Sequence, residues 1–267
     1  MAARLLEQLA AAGLSEVALN LHHGADVVER VLGDGPVYLR EKWLRGTAGA
    51  LRGAGSFLGG GDFLVASSDG VHEIDIPALI EHHRAAGALA TITVKRIARP
   101  ETCAIVDLGD DGLVRRFVEK PAPGAVFTDL ASIGVNCFRP DVLELIPDDR
   151  PFDISGELIP LLLDRGLPVA AYPTTAWWAD IGTPEALLEA NLWASGGEAR
   201  VYARCTIAPD AVLEPPALVG PDAVVGPGAV VRSALVLPGA QVAAGAVVED
   251  SILGDGDGVL RSWLHAG

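Results

Sequence analysis

The feature that most constrains the fold is a run of hexapeptide units that begins at Ile207. From there to Gly254 the sequence divides into eight consecutive units of six residues: IAPDAV, LEPPAL, VGPDAV, VGPGAV, VRSALV, LPGAQV, AAGAVV and EDSILG. The first position is Ile, Leu or Val in six units, and the sixth is Val or Leu in seven. A period of six with Gly or Pro inside the unit is typical of a left-handed parallel β-helix, in which each unit forms one side of a triangular coil.

A low-complexity linker rich in Pro, Gly and Val is the alternative, but eight units in phase favour the β-helix. Eight sides make fewer than three coils, so we expect a short β-helix over residues 207–254. It would gain stability by stacking on the preceding domain or on another subunit. The period is lost after Gly254, and residues 255–267 are expected to form an irregular tail.

Upstream of the hexapeptide units, helical patterns alternate with short apolar runs. The expected helices are Ala2–Gly13, Ala25–Leu32 and Ile76–Ala86, the last of which begins at Asp75. The expected strands are Glu16–Asn20, Val37–Leu39, Phe63–Ser67 and Ala90–Arg96. This alternation predicts an α/β domain with a mostly parallel sheet over residues 1–195, joined to the β-helix by a linker at 196–206.

Composition excludes several classes of partner. The 267 residues, of which 50% are hydrophobic, are enough for one or two domains with a large core. A formal net charge of −15 argues against nucleic acid and against an anionic membrane as partners. No apolar run approaches a membrane span, and the N-terminus does not resemble a secretory signal. Cys103, Cys137 and Cys205 lack metal-ligand spacing, which predicts no disulfide framework and a reducing, cytoplasmic location.

The stretch Trp177–Asn191, WWADIGTPEALLEAN, places one carboxylate, Asp180, just before a helix. Thr183 is expected to be the N-cap, with Pro184 at the first helical position and Glu185 at the positive end of the helix dipole. A carboxylate on this short connection is either hydrogen-bonded, as a capping or turn residue, or holds a cation. Both interpretations stay open from this stretch alone.

Two further polar segments follow predicted strands. Asp69 lies in ASSDG after the strand Phe63–Ser67, where ligands bind in open α/β sheets, although Asp before Gly is also common in plain turns. Glu119 and Lys120 end the strand-like run Leu113–Val118, and the prolines that follow turn the chain out of the sheet. A flexible cation at that point suits a phosphate, and the alternative is a solvated hairpin end.

The run Arg45–Ala50, RGTAGA, is made mostly of small residues and precedes another helical pattern. Its glycines would let the backbone approach a flat ligand such as a nucleobase. The alternative is that these residues simply begin a helix.

In order and spacing, these segments resemble the sugar-1-phosphate nucleotidylyltransferases, and among them most the mannose-1-phosphate guanylyltransferase branch. The resemblance covers nearly the whole chain up to Gly254. The matching segments are LAAAGLSEVALNLHH (Leu9–His23), RGTAGAL (Arg45–Leu51), FLVASSDGVHEIDI (Phe63–Ile76), VEKPAPG (Val118–Gly124), RPFDISGELIPLLL (Arg150–Leu163), WWADIGTPEALLEAN (Trp177–Asn191) and the hexapeptide units.

The resemblance implies a reaction in which a sugar 1-phosphate oxygen attacks the α-phosphorus of a nucleoside triphosphate and pyrophosphate leaves. It implies Mg²⁺ as the cofactor, held by Asp69 and Asp180, with Lys120 on the sugar phosphate as the third catalytic residue. The substrate-binding residues that it implies are Gly46, Thr47 and Gly49 near the base, Glu119 on the sugar hydroxyls, and Ser132 and Gly134. GTP is slightly favoured as the triphosphate, and a homo-oligomer through the β-helix is expected.

Three departures from the family pattern stand out. The family begins with a strand, a Gly-rich loop containing Arg and a Pro-Lys-Pro segment, which together cradle the triphosphate. This head is absent from the sequence, so the Rossmann-like sheet is expected to lack its first strand and to have exposed strand edges. Ser132 replaces an expected Asn, and Cys103-Ala104 replaces Tyr-Gly, which suggests a pocket for an unusual sugar or a cyclitol phosphate.

Two explanations of the absent head stay open. Either the true start lies upstream of Met1 and the working enzyme is longer, or the chain is a non-catalytic regulatory or scaffold relative. Retention of Asp69, Lys120 and Asp180 favours the enzyme. An acyltransferase that uses the β-helix is least favoured, because it needs a longer helix and a catalytic His, and only His265, in the tail, lies near.

Overall fold

The computed structural model describes residues 1–254 and 259–261, and it folds into two compact units, Met1–Trp178 and Ala179–Gly267. The α-helices are α1 (Ala2–Ala11), α2 (Ala25–Leu32), α3 (Gly46–Gly53), α4 (Gly55–Leu58), α5 (Ile76–Ala86), α6 (Ile159–Asp164) and α7 (Pro184–Ala194). The strands are β1 (Ala18–Leu21), β2 (Val37–Arg40), β3 (Phe63–Ala66), β4 (Gly70–His72), β5 (Ala90–Arg96), β6 (Ala104–Leu108), β7 (Val114–Glu119), β8 (Leu130–Phe138), β9 (Val169–Pro173), β10 (Trp178–Asp180), β11 (Ala199–Val201), β12 (Thr206–Ile207), β13 (Val212–Val219), β14 (Val224–Val225), β15 (Val230–Val236), β16 (Gln241–Val242), β17 (Val247–Glu249), β18 (Ser251–Leu253) and β19 (Val259–Arg261).

The first unit is built on a six-stranded sheet. Its order is β7-β6-β8-β5-β9, and β3 pairs with the C-terminal half of β8. Strands β3, β5, β6 and β9 run in one direction, and β7 and β8 run in the other. The expected predominance of one strand direction is therefore confirmed. Most hydrogen-bonded pairs are nevertheless antiparallel, because β8 lies between strands of the main direction.

Local sequence patterns located most elements of this unit. The helices α2 and α5 and the strand β5 have the predicted bounds, and β2 and β3 agree to within one residue. Asp75 is the N-cap of helix α5, as predicted, because its carboxylate accepts a hydrogen bond from the Ala78 amide at 3.0 Å. It ends at Gly87, which has the left-handed conformation that favours glycine. The strand expected over Glu16–Asn20 begins two residues later, at Ala18.

The core of the first unit lies on both faces of the sheet. On one face, Ile92 and Phe138 pack against α6 residues such as Leu162, and all three side chains are fully buried. On the other face, Leu79 of α5 packs against Ile133, Val135 and Cys137, which alternate along β8 and so point to the same side. Burial of each such side chain contributes about 1.5–3 kcal/mol, which fixes the sheet under the loops that follow its strands.

Strands β1 and β3 are among the strands of the first unit that have an edge without a strand neighbour in the described chain. Strands β1 and β2 form a separate parallel pair, in which Ala18 lies opposite Val37. Within the described residues β1 has no other strand neighbour, and β3 pairs only with β8. The four apolar side chains of β3 are only partly buried. Exposed strand edges were expected from the sequence as a consequence of an absent first strand, and that expectation stays a prediction.

The second unit is strand-rich, with short parallel strands stacked at nearly regular intervals along the chain. Strands β12, β14 and β16 form one sheet, and β11, β13, β15, β17 and β18 lie in another. Val219, Val231 and Val236 are fully buried inside the stack. Helix α7 covers a further row of side chains, in which Leu188 packs with Leu218 and Leu235. This arrangement is compatible with a β-helix.

The interval between stacked residues is not uniform. Val212 pairs with Val230, and Val230 pairs with Val247. The number of residues between paired positions is therefore one smaller for the second pair than for the first. The register shifts in β13 between Glu214 and Ala217, whose partners in β15 are Arg232 and Ala234. The spacing of the hexapeptide units is therefore not the same in every coil, because the turn in β15 that is equivalent to the bulge in β13 is one residue shorter.

The C-terminal tail was expected to be irregular, and this is wrong for part of it. Residues Val259–Arg261 form β19, which pairs antiparallel with β18. Residues 255–258 and 262–267, including His265, lie outside the described residues. In the described part of the chain, no helix combines the length and the apolar character that a membrane span requires.

Candidate functional site

The start of α3 is fixed by a backbone segment that is distant in the sequence. The Phe152 amide donates to the Arg45 carbonyl oxygen at 2.8 Å, and the Phe152 carbonyl oxygen accepts from the amides of Ala48 and Gly49 at 2.9 and 3.0 Å. Gly46 has a φ of 76°, and a Cβ at this position would lie 2.6 Å from the Phe152 carbonyl oxygen. Gly46 is therefore needed both for its backbone conformation and for the close approach of the two segments.

Asp153 continues this contact with its side chain. Its Oδ1 accepts from the Thr47 amide at 3.0 Å and from the Thr47 hydroxyl at 3.1 Å. The Thr47 hydroxyl oxygen also accepts from the Ile154 amide at 2.8 Å. The three residues predicted to lie near a base, Gly46, Thr47 and Gly49, are thus held by residues 152–154.

The end of β7 presents the predicted acid–base pair. Glu119 is the last residue of β7, and the Lys120 amide donates to the Cys103 carbonyl oxygen at 3.1 Å. The Lys120 side chain is 69% exposed, and its Nζ lies 3.9 Å from Oε1 of Glu119. Burial raises the pKa of Glu119, the Lys120 ammonium opposes this shift, and the Asp153 carboxylate adds to it. Glu119 therefore interacts electrostatically with Asp153, the residue that binds the start of α3.

Ser132 and Gly134 lie along the same side of the sheet. Ala104 of β6 pairs with Glu119 of β7 on one side and with Ser132 of β8 on the other. Directly opposite residues point to the same face, and neighbouring strands lie about 5 Å apart. Glu119, Ala104 and Ser132 therefore form a row across three strands, which we call the β6–β8 strip. The two departures from the family pattern, at Ser132 and at Cys103-Ala104, both lie in or beside this strip.

Gly134 connects the β6–β8 strip with the loop that carries Asp69. The Ser67 amide donates to the Gly134 carbonyl oxygen at 3.0 Å. Gly134 has a φ of 76°, and a Cβ there would lie 3.1 Å from Oγ of Ser67. Asp69 is in the turn two residues beyond Ser67 and is exposed. Its position after a strand of the central sheet is the one that the sequence predicted.

Asp180 is the last residue of β10 and is exposed. Helix α7 begins four residues later, at Pro184, and the Thr183 hydroxyl accepts from the Ala186 amide at 3.2 Å. The N-cap is therefore Thr183, as predicted, which leaves the Asp180 carboxylate without a capping role.

The structure adds two residues to the candidate site that the sequence did not single out, Phe152 and Asp153. They lie in the matching segment RPFDISGELIPLLL, to which no role was assigned. Their partner at the start of α3 is 106 residues away. No local pattern reveals such a pairing, although an Asp followed four residues later by Glu157 is compatible with a turn that begins at Asp153.

In the residues that the structure describes, no three or more His, Cys, Asp or Glu side chains cluster as a metal site. The predicted site uses only two carboxylates, Asp69 and Asp180. It therefore stays a prediction.

The two parts of the chain match two family models. A model of the nucleotidyl transferase family matches residues 1–195, and a model of the GMPPB C-terminal domain matches residues 196–266. The chain therefore belongs to the nucleotidyl transferase family. The family expected from the sequence is confirmed, and homologues named mannose-1-phosphate guanylyltransferase support the expected branch.

Curated relatives carry different named activities. Agl11 of Haloferax volcanii, a low-salt glycan biosynthesis nucleotidyltransferase, is 30% identical over 221 residues, which cover 78% of this chain and 61% of that protein. The mannose-1-phosphate guanylyltransferase of Mycobacterium tuberculosis is 29% identical over 228 residues, with coverages of 78% and 63%. The UTP–glucose-1-phosphate uridylyltransferase of Synechocystis sp. is 30% identical over 198 residues, with coverages of 67% and 51%. The chain thus spans 51–63% of the length of these relatives.

Solved structures share the fold at lower identity. A Bacillus anthracis protein described as a glucose-1-phosphate thymidylyltransferase, solved with sucrose, has a TM-score of 0.63 at 21% identity and covers 74% of this chain and 84% of its own. HddC from Yersinia pseudotuberculosis, complexed with GMP-PN, has a TM-score of 0.60 at 23% identity, with coverages of 70% and 82%. These likenesses confirm the α/β nucleotidyltransferase fold.

Proposed function

We propose that the chain carries the catalytic residues of a sugar-1-phosphate nucleotidylyltransferase. A sugar 1-phosphate oxygen attacks the α-phosphorus of a nucleoside triphosphate, pyrophosphate leaves, and a nucleoside diphosphate sugar forms. The observation that carries this proposal is that the family match over residues 1–195 includes Asp69, Lys120 and Asp180. Such a displacement needs alignment and charge neutralisation rather than a covalent intermediate, and two carboxylates and a lysine suit that task.

The sugar phosphate would lie at the end of β7. The exposed Lys120 ammonium suits the phosphate, and Glu119 beside it suits sugar hydroxyls. The β6–β8 strip, with Ser132 and the neighbouring Gly134, would then form the floor beside the sugar. Because small residues replace an Asn and a Tyr there, we extend the substrate class to unusual sugar or cyclitol 1-phosphates.

Asp69 and Asp180 are proposed to hold Mg²⁺. Both carboxylates are exposed, and in the described part of the chain neither forms a hydrogen bond or an ion pair. Oxygen ligands from one or two carboxylates, completed by phosphate and water, are what Mg²⁺ prefers, so these residues fit the ion. When bound, the ion would neutralise phosphate charge, while Asp69 and Asp180 would orient it from the loop after β3 and the end of β10.

The nucleoside triphosphate is proposed to place its base near Gly46, Thr47 and Gly49. GTP is slightly favoured, because the matched C-terminal domain model is that of GMPPB and the Mycobacterium tuberculosis relative is named as a guanylyltransferase. Gly46 and Gly49 are closely packed against Phe152 and Arg45, so the base would approach this segment at Thr47, which is exposed.

The stacked strands of the second unit are proposed to be a short left-handed β-helix of hexapeptide repeats. In this division residues 1–195 form the nucleotidyltransferase domain, 196–206 a linker that contains β11 and so already pairs with β13, 207–254 the β-helix and 255–267 the tail. The parallel registers of β12, β14 and β16 support this interpretation. We further propose a cytoplasmic location and a homo-oligomer assembled through the β-helix.

The proposal is tested by product formation. Residues 1–267, and a form extended upstream to any in-frame loop rich in Gly and containing Arg, are incubated with Mg²⁺, each nucleoside triphosphate and a panel of sugar and cyclitol 1-phosphates. Equal amounts of pyrophosphate and a nucleoside diphosphate sugar are expected. If upstream codons encode no such loop and residues 1–267 give no product, or if such a loop exists and neither form gives product, the alternative of a non-catalytic regulatory or scaffold relative replaces the enzyme.

A further inference from the structure

The start of α3 has no side-chain cap of its own. Its N-cap residue is Arg45, which makes no side-chain capping hydrogen bond. A helix leaves its first backbone amides without partners inside the helix, so they need partners from elsewhere. Residues 152 and 153 supply them, because the Thr47 amide donates to Asp153 and the Ala48 and Gly49 amides donate to Phe152.

Asp153 is itself held in place. The Asp153 amide donates to Oε2 of Glu157 at 3.0 Å, and Glu157 forms an ion pair with Arg150. On the α3 side, the Thr47 hydroxyl donates to Asp153 and accepts from the Ile154 amide at 2.8 Å. The two segments therefore fix each other through one carboxylate oxygen and one hydroxyl.

The amides of Thr47, Ala48 and Gly49 are consequently all engaged by the protein. An anion that bound at this helix start would have to displace the Asp153 carboxylate, which would then lose both hydrogen bonds from Thr47. The position of the small-residue segment is thus determined jointly by the backbone of Phe152 and the carboxylate of Asp153, and not by the residues of the segment alone.

We propose that Asp153 is a positioning residue that holds residues 46–49 in the place where the triphosphate's base is bound. This inference rests on the proposed function for its kinetic consequence, because Asp153 itself is not assigned to touch substrate. Loss of its carboxylate removes the two hydrogen bonds to Thr47 and loosens the start of α3, so the binding of the nucleoside triphosphate weakens. The sugar-phosphate side, built on β6, β7 and β8, keeps its geometry.

The kinetic test compares Asp153→Ala with Asp153→Asn, whose amide oxygen can still accept from Thr47. Hydrogen bonds to a charged group are strong enough that Asp153→Ala should raise the KM for the nucleoside triphosphate about tenfold or more. The KM for the sugar 1-phosphate and kcat should stay within about threefold. Asp153→Asn should restore most of the triphosphate KM. The exposed turn residue Asp110, changed to Ala, is the matched control.

Hydrogen exchange tests the same inference without activity. The Thr47 amide loses its acceptor in Asp153→Ala and should exchange faster there than in the unaltered protein. Its exchange rate should be unaltered in Asp153→Asn and Asp110→Ala. If Asp153→Ala does not fold, Thr47→Val serves instead, because it removes the hydroxyl and keeps the side-chain shape. Faster exchange confined to the start of α3 is expected there too.

The two proposals fail in different ways. If the unaltered protein forms no nucleotide sugar, the proposed function fails, and hydrogen exchange still decides whether Asp153 holds α3. Unchanged exchange at residues 47–49 in both Asp153→Ala and Thr47→Val overturns the positioning role. So does a loss of affinity in Asp153→Ala that is equal for both substrates.

Discussion

At the scale of single residues, Gly46 and Glu119 carry most of the physical information about the site. Gly46 is the point at which the backbone of α3 meets the backbone of Phe152, with no room for a Cβ. Glu119 has a partly exposed side chain whose carboxylate lies 3.9 Å from the Lys120 ammonium and whose pKa is raised by burial and by the Asp153 carboxylate. Gly46 fixes how closely the two backbone segments approach each other. The pKa of Glu119 responds to the charges of Lys120 and Asp153.

Replacement of Gly46 by Ala should destabilise the first unit strongly. The left-handed conformation costs a non-glycine residue about 1–2 kcal/mol, and the overlap with Phe152 adds about 1–3 kcal/mol. Gly13→Ala is the matched control, because Gly13 has a φ of 81° with nothing within 4 Å of its added Cβ. Urea unfolding midpoints measure both. Equal losses in the two variants would contradict the close contact with Phe152.

The Glu119 carboxyl should make stability depend on pH in a defined direction. Burial raises the pKa of Glu119 in the folded state above its value in the unfolded chain. The folded protein therefore loses stability as the pH rises above the unfolded-state pKa, because the partly buried carboxylate must then ionise. Glu119→Gln should therefore be more stable than the unaltered protein near neutral pH, and the difference should vanish below about pH 4, where both side chains are neutral. Thermal unfolding over this range measures it. A Gln variant that is less stable near neutral pH would contradict the account.

At the scale of elements, the helices differ in how they begin. Helices α5 and α7 have caps supplied by Asp75 and Thr183, each immediately before the helix. Helix α3 is capped instead by Asp153 from a distant segment. The first kind of start is a local property of the sequence, and the second depends on the tertiary fold.

Thr183→Ala should cost about 1 kcal/mol in the free energy of unfolding, because the Ala186 amide loses its side-chain acceptor. Thr183→Ser, which retains the hydroxyl, should cost little or nothing, because Ser is at least as good an N-cap as Thr. Denaturant midpoints of the two variants provide the comparison. If Ala and Ser have the same effect, Thr183 does not cap α7.

This difference explains what the sequence could predict. The bounds of α2, α5 and β5 follow from periodicity and from nearby Asp and Gly residues, so local patterns are sufficient. The antiparallel insertion of β8, the shorter turn in β15 and the contact between Thr47 and Asp153 depend on residues that are far apart or on one-residue differences in turns. The positions of Asp69, Lys120 and Asp180 in loops and at strand ends were predictable, whereas Asp153 was not.

At the scale of the whole molecule, the chain combines two family-matched parts with a strongly acidic composition, in which 35 acidic residues outnumber 20 basic ones. A net charge of −15 repels anionic substrates at long range, so the proposed reaction depends on local cations such as Lys120 and on Mg²⁺. The central claim is that Asp69, Lys120 and Asp180 transfer a nucleotidyl group.

The most direct test of that claim measures pyrophosphate and nucleotide sugar together, with GTP, mannose 1-phosphate and Mg²⁺. It uses residues 1–267 and, where upstream codons encode one, the extended form, each with its Asp180→Asn variant. The account predicts equal amounts of both products from the unaltered form. It predicts at least about a hundredfold slower turnover in Asp180→Asn, whose unfolding temperature is unchanged because Asp180 is exposed and caps no helix. A fully active Asp180→Asn variant would contradict the assigned metal site. Absence of both products with every triphosphate and sugar phosphate would contradict the function.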